Sequence, residues 1–297
     1  MSDNRSQLVG VSVQGTVSSP QCPALPASPY IIGADGTPVL LPPPGGIVYN
    51  VSVGDTAFGW VADMVQPGVS ISTGPIENGA LRGLACIGNE AIAVKGAATG
   101  ARGTVTGKSG RFADHVIVHF DADVRERMAI GDAVLVRAIG RGLRLAGAPD
   151  VQLKSISPRL LDAFEVETED GTVTVPVAAE VPAVLIGAGS GLTSEAGAVQ
   201  IQTDDPAALA ENGLEGLRLG DIVALRDFDS RWGNGYVEGA VTIGVVVHGD
   251  SVRGGHGPGV TPVMSAVRSQ IRPVLAAGRN IAELLDLAAP APAPVAA

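Results

Sequence analysis

From residue 9 to 17 the chain alternates, Val9-Gly-Val-Ser-Val-Gln-Gly-Thr-Val17, with apolar side chains set against small or polar ones. That period of two predicts a strand with one buried face. Residues 47–53 and 56–62 carry similar runs on either side of Gly54-Asp55, a good turn pair, and predict a hairpin. Five short runs follow at 91–95, 103–107, 115–120, 133–138 and 143–146, separated by glycine-rich turns. Strands so short and so closely spaced predict a small closed barrel of the OB or SH3 kind. Gly96, Gly100, Gly103 and Gly107 stand where strongly bent barrel strands need them.

Further strands are expected at 151–156, 172–177, 183–186, 221–225 and 240–247, with helical turns at 157–164 and 206–211. The runs 221–225 and 240–247 are continuously apolar, so both of their faces should be buried. From Met264 the spacing changes. Val267, Ile271, Val274 and Leu275 share one helical face, Pro273 would kink it, and Ile281, Leu284 and Leu285 extend it. The pattern therefore describes a mainly β (α+β), multidomain chain with a small OB/SH3-like barrel and a C-terminal helical segment. The expected units are an N-terminal β segment with a proline-rich arm (1–88), the barrel (89–148), a C-terminal α+β domain (149–288) and a disordered tail (289–297). The arm, 18–46, interrupts its prolines with Tyr30, Ile31, Ile32, Leu40 and Leu41, as a segment laid over a partner surface would.

Composition narrows the function classes. The 297 residues carry 20 basic and 30 acidic side chains, a net charge of −10, which argues against a nucleic-acid partner because counterion release needs a basic face. Aromatic residues are scarce (Phe 5, Trp 2, Tyr 3), so the core must be built from Val, Ile, Leu and Ala. No run of eighteen apolar residues suggests a membrane span, and residues 1–7 lack the apolar stretch of a secretory signal. Cys22 and Cys86 are too few for a disulfide framework. A cytoplasmic protein with no membrane partner is the simplest reading.

Chemistry-bearing residues crowd into 226–260. Two of the four histidines, His248 and His256, flank Asp250 at the exit of a core strand, on glycine-rich loops where rigid sheets present functional groups. His248, Asp250 and His256 are the candidate catalytic residues. With Asp227 or Asp229 across the sheet, His248 and His256 would satisfy a His/carboxylate site for a divalent metal ion. The plainer reading makes the aspartates turn caps and bonds the histidines to backbone. Gly255-His-Gly-Pro-Gly259 could bring backbone N–H groups, Gly255 and Gly257 among them, to an anion or oxyanion, or could simply be a tight turn. Asp63, Asn89 and Glu90 are candidate polar lining for a small-molecule ligand, with turn capping as the alternative. Cys86 sits in an apolar run and is read as a small hydrophobe rather than a nucleophile.

Three further motifs fail or point elsewhere. His115 and His119 share one strand face about 13 Å apart, too far for one ion, and are expected on an exposed or interface face. Lys108 lies in Gly107-Lys-Ser109, but Arg102 stands where a phosphate loop needs its first glycine. Gly187-Ala-Gly-Ser-Gly191 is half a dinucleotide fingerprint with no helix pattern after it.

Several of these segments resemble the family called domain of unknown function 4438. They are 84–110, with Cys86-Ile-Gly-Asn-Glu-Ala91 and Gly103-Thr-Val-Thr-Gly-Lys108; 130–145, with Ile130-Gly-Asp132 and Gly140-Arg-Gly-Leu143; 182–203; and 217–264. The last contains Gly220-Asp-Ile-Val-Ala-Leu225 and Gly255-His-Gly-Pro-Gly-Val-Thr261. The resemblance implies a multidomain, β-rich fold and brings no agreed activity. The chain departs from it at Gly197-Ala-Val-Gln200, where the family tends to carry Gly-Asp-Tyr-Asp, and at Ser109, where it carries His. A second, one-hairpin likeness, over 44–59, is to the acetamidase/formamidase family. Two functions from different classes are expected: a hydrolase of small amides or cyclic amides, metal- or His/Asp-assisted, or a non-catalytic ligand-binding or scaffold protein acting as a homo-oligomer.

Overall fold

In the strand Val11–Val17, Val13, Gly15 and Val17 face inward and the residues between them face out, as the alternation requires. The computed structural model describes residues 2–20, 30–110, 114–190, 193–195, 197–202 and 205–287. Cys22, Gly191 and the tail 289–297 lie outside them.

Val11–Val17 closes a six-stranded barrel in the order Val11–Val17, Val69–Ser72, His115–His119, Arg102–Ser109, Glu90–Ala93 and Ala133–Ala138. Two of its strands thus come from before residue 89, and 143–146 contributes none; Leu145 makes a single bridge to Asp3. Helix Pro75–Leu84, opened by a proline at its first turn, packs on the first strand. Its Leu81 is fully buried, and a Cβ on Gly15 would stand 2.9 Å from the Leu81 side chain.

The hairpin expected over 47–62 is not formed. Only its turn exists: Ser52 N–H donates to Asp55 Oδ2 (2.8 Å) and Asp55 N–H to the Ser52 carbonyl (3.2 Å). The two arms diverge because each has another partner, Ile47 bridging to the barrel at Val69 and Thr56 to Arg218 in the C-terminal half. The likeness to acetamidases rested on that hairpin and goes with it.

The second half is organised on a six-stranded sheet running Ala179–Val181, Ile222–Asp229, Gly235–His248, Gly259–Ala266 and Val199–Gln200, with Gln152–Leu153 paired to Gly259–Ala266. Both faces are buried. Ile222, Ala224, Ile243 and Val245 pack into one apolar cluster, and Val223, Leu225 and Val246 into another. A three-stranded sheet, Glu167–Glu169, Thr172–Val177 and Ile271–Leu275, lies beside it. Short helices Pro158–Ala163 and Pro206–Glu211 form where helical turns are expected, capped by Ser157 and Asp205, while 183–186 holds only the turn Ala183–Leu185.

The long C-terminal helix is absent. Gly259–Ala266 and Ile271–Leu275 are strands, and only Ile281–Leu284 is helical, with Asn280 accepting from the Ala282 N–H. Val274 and Leu275, 45% and 64% exposed, do not share a buried face with Ile271. The parallel pairing of Ile271–Leu275 with Thr172–Val177 overrides the helical spacing.

Barrel and sheet meet directly. Gly107 leaves room for Val247, whose Cβ would stand 2.5 Å from a Cβ at 107, and Thr261 Oγ1 donates to the Lys108 carbonyl at 2.9 Å.

Candidate functional site

The long strand ends at His248, and the chain leaving it is laced to residues 57–65. Gly249 N–H donates to the Val65 carbonyl (2.9 Å), Asp250 N–H to Ala57 (2.9 Å), and Met64 N–H to Asp250 (2.8 Å). This lacing gathers the polar side chains. Ser251 Oγ donates to Asp63 Oδ1 at 2.5 Å, and Arg253 Nη2 stands 3.9 Å from Asp63 Oδ2. Asp63 and His248 are wholly buried. Asp250 accepts from the Gly59 N–H at 3.2 Å, and burial, helped by the nearby Asp63 carboxylate, raises its carboxyl above the usual range.

The His248 imidazole donates through Nδ1 to the Gly249 carbonyl at 2.9 Å. Burial pushes its pKa down to about 4, so it is neutral at physiological pH with Nε2 as a lone-pair acceptor. His256, partly exposed on the following loop, likewise donates through Nδ1, to the Gly254 carbonyl at 2.7 Å.

Next to this cluster opens a cleft of about 550 Å³, a size suited to a small molecule. Its walls include Pro42, Pro43, Val48, Tyr49, Trp60 and Gln66, and Gly59 joins it to Asp250. The buried Arg125 guanidinium fixes one wall by donating to the carbonyls of Val48 (2.7 Å) and Val51 (3.0 Å) and to Ser52 Oγ (3.0 Å). Trp60 Nε1 donates to the Thr56 carbonyl at 2.8 Å, which orients its ring.

Positions 63, 248, 250 and 256 therefore share one end of the sheet. Asp227 and Asp229 do not. Their strand pairs antiparallel with Gly235–His248 so that Arg226 faces Val241, seven residues short of His248, roughly 23 Å along the strand. Asp227 caps the hairpin, accepting from the Gly239 N–H at 2.8 Å, and Asp229 grips Arg231 at 3.0 Å. The four-ligand metal site is thus not assembled, and among the described residues no three His, Cys, Asp or Glu side chains are grouped to hold an ion.

Asn89 and Glu90 also lie elsewhere, on the barrel. Asn89 staples a loop, taking the Cys86 N–H (2.8 Å) and giving to the Ile139 carbonyl (2.8 Å), and Glu90 pairs with Arg102 and with Arg137. The glycine loop is packing rather than an open anion cradle: Gly257 N–H donates to the Ile201 carbonyl at 3.2 Å, and a Cβ there would stand 2.7 Å from the Gly249 carbonyl. The Gly255 carbonyl takes the Ala188 N–H at 2.8 Å. Burial raises the pKa of the Cys86 thiol, in keeping with a small core residue.

Two arrangements escape a reading by motif. His115, expected on an exposed or interface face, is wholly buried; its Nδ1 stands 3.0 Å from Gln66 Oε1, which also accepts from Ser70 Oγ at 2.5 Å. His119 is buried as well. At the junction of barrel and sheet, Lys108 is wholly buried and gives to the carbonyls of Arg82 (2.9 Å) and Glu195 (3.3 Å). Lys154 pairs with Glu195 at 2.6 Å, and Arg141 stands 3.6 Å from it. Desolvation, reinforced by Arg141, brings the Lys108 pKa down to about 7. The available signal was rarity: Lys95, Lys108 and Lys154 are the chain's only lysines, and two of them stand among inward-facing residues.

Comparison with known proteins places the chain. No curated protein matches it. The crystal structure of TM1086 is similar to it at 41% identity and a TM-score of 0.89, covering 95% of this chain and 98% of that one. Family models described as "Domain of unknown function (DUF4438), N-terminal" and "C-terminal" match residues 30–162 and 163–285. The chain belongs to the DUF4438 family and carries both of its domains.

Proposed function

We propose that this protein hydrolyses a small amide or cyclic amide seated in the Trp60 cleft, with Asp250 and His256 as the acid–base pair. The observation that carries the reading is the hydrogen bond from Gly59, a residue of the cleft wall, to the raised carboxyl of Asp250. A carboxyl raised above its usual range by burial can give a proton to a leaving nitrogen, and a partly exposed histidine can take one from water. Water would add to the carbonyl carbon, the C–N bond would break, and the amine would leave with the proton. Asp63, fixed by Ser251 and Arg253, would position the loop that bears Asp250. A panel of linear and cyclic amides, read by ammonia release or ring opening, tests this directly. We expect turnover that falls about a hundredfold or more in Asp250→Asn. Absence of turnover across the panel, or an unaffected variant, would end the reading.

A binding or scaffold role in a cytoplasmic homo-oligomer is favoured by a separate feature. Val9 and Val11, 78% and 41% exposed, line with Leu84 and Ile139 a groove of about 450 Å³ on the barrel. Light scattering that returns a monomer would remove it.

A further inference from the structure

Among the described residues that line the cleft, Asn50 and Tyr49 are exposed and Gln66 is the buried polar side chain, and its geometry is one-sided. Gln66 lines the cleft yet is wholly buried. Its carbonyl oxygen Oε1 is engaged twice, by the Ser70 hydroxyl at 2.5 Å and by His115 Nδ1 at 3.0 Å. An amide oxygen only accepts, so both partners donate to it, and together they fix the rotation of the amide group. The amide nitrogen Nε2, buried, makes no hydrogen bond among the described residues. A buried donor is costly to leave unmatched, and an acceptor carried into the cleft that Gln66 lines would match it.

The rest of the lining limits what that acceptor belongs to. Among the described residues the walls carry no charged side chain: prolines 20, 42 and 43, valines 48, 51, 61 and 65, Tyr49 and Trp60 supply most of the surface. A carboxylate or ammonium entering there would lose its hydration without an opposite charge to replace it. Aromatic and proline surfaces favour flat, apolar rings.

We infer that Gln66 is the specificity-determining residue of a site for a neutral, ring-shaped carbonyl compound, whose oxygen accepts from Gln66 Nε2 while its ring lies among Trp60, Tyr49 and the prolines. Ser70 and His115 are positioning residues that hold the amide in its donating orientation. The site shares the cleft with the hydrolytic reading, and as a deepening of it names the substrate class. Its test reads binding alone, so the two fail separately.

The probes are oxindole and indoline, two neutral bicyclic rings of nearly equal size that differ by the carbonyl, and phenylacetate as an anion of similar bulk. Titrations by protein-observed NMR on the full chain should show oxindole bound about tenfold more tightly than indoline, the worth of one hydrogen bond. Phenylacetate should bind more weakly than either. Gln66→Glu keeps an acceptor for Ser70 and His115, so it preserves the buried network while removing the donor, and the preference for oxindole should vanish. Gln66→Leu gives the same readout should the charged variant fail to fold. Equal affinity for oxindole and indoline, no binding of either at millimolar concentration, or a preference that survives both variants would overturn the inference. An oxindole preference in a protein that hydrolyses no amide would sink the hydrolytic reading and leave this site standing.

Discussion

The ring of His248 lies where a side chain on Gly259 would have to be: a Cβ built on Gly259 would fall on Nε2, Cδ2 and Cε1 of the imidazole. The two residues are cross-strand partners in the antiparallel ladder, so the space is shared across a fixed register. Gly259→Ala must therefore displace a buried ring or separate two central strands. We expect a loss of about 3 kcal/mol in denaturant unfolding. In a His248→Ala background the same change should cost much less, and a double-mutant cycle measures the coupling. Additive losses would show that the ring is not what excludes the side chain.

Lys108 gives a prediction of opposite sign. Its pKa, about 7, lies below that of a lysine in an unfolded chain. Between pH 7 and about 10.5 the unfolded state binds the extra proton, so stability should rise with pH across that window. Below it both states are protonated and the native state carries a buried cation near Arg141 and Arg82. Lys108→Met should stabilise the protein at pH 6 by about 1–4 kcal/mol, because a buried charge without its own carboxylate is replaced by an apolar stem. It should also flatten the alkaline rise. Chemical denaturation at pH 6, 8 and 10 reads both effects, and a destabilised variant with an unchanged pH slope would refute the account.

Arg125 has a mechanical role open to the same kind of test. Its guanidinium holds two carbonyls and a hydroxyl from residues 48–52, the stretch that forms one cleft wall. Arg125→Lys keeps the charge but offers one nitrogen in place of a planar fork. Amide hydrogen exchange over 48–52 should speed up while the barrel strands stay protected, and any ligand bound in the cleft should weaken about tenfold or more. Unchanged exchange in that stretch would mean the wall stands without the arginine.

What the sequence revealed, and what it hid, follows from the range of the interactions. The Val11–Val17 strand and the helix behind Asp205 are set by local alternation and capping, and both were legible. The convergence of Asp63 with the 248–256 loop could be guessed from the crowding of polar residues, and the lacing of residues 57–65 onto that loop produces it. Asp227 and Asp229 misled because one strand separates them from His248 in sequence while the antiparallel register sends them to its far end. The C-terminal strand Ile271–Leu275 was hidden for the reverse reason: its apolar spacing suits a helix, and only the neighbouring Thr172–Val177 makes it a strand. Gln66 carries no motif and Lys108 only a phosphate-loop fragment that fails at Arg102; their importance arises from burial, which a chain pattern does not record.

The buried histidines set the acid limit of the fold. Burial holds His115 and His248 each at a pKa of about 4, below the value near 6.5 of an unfolded chain, and lowers His119 as well. Between pH 6.5 and 4 the unfolded state therefore binds more protons than the native state, so stability falls as pH falls through that window. Each of the two deepest rings contributes a loss of about 3 kcal/mol by pH 4. The slope should be visible as a falling Tm between pH 6.5 and 4, before most carboxylates titrate. His248→Gln removes one titrating ring, and the slope should become shallower even if the variant is less stable at neutral pH, because the lost packing is independent of pH. His115→Gln should act likewise and, combined with His248→Gln, should add to it, since the two rings belong to different strands, one in the barrel and one in the sheet. A wild-type Tm that stays level from pH 6.5 to 4 would mean that these rings are reached by water in the native state.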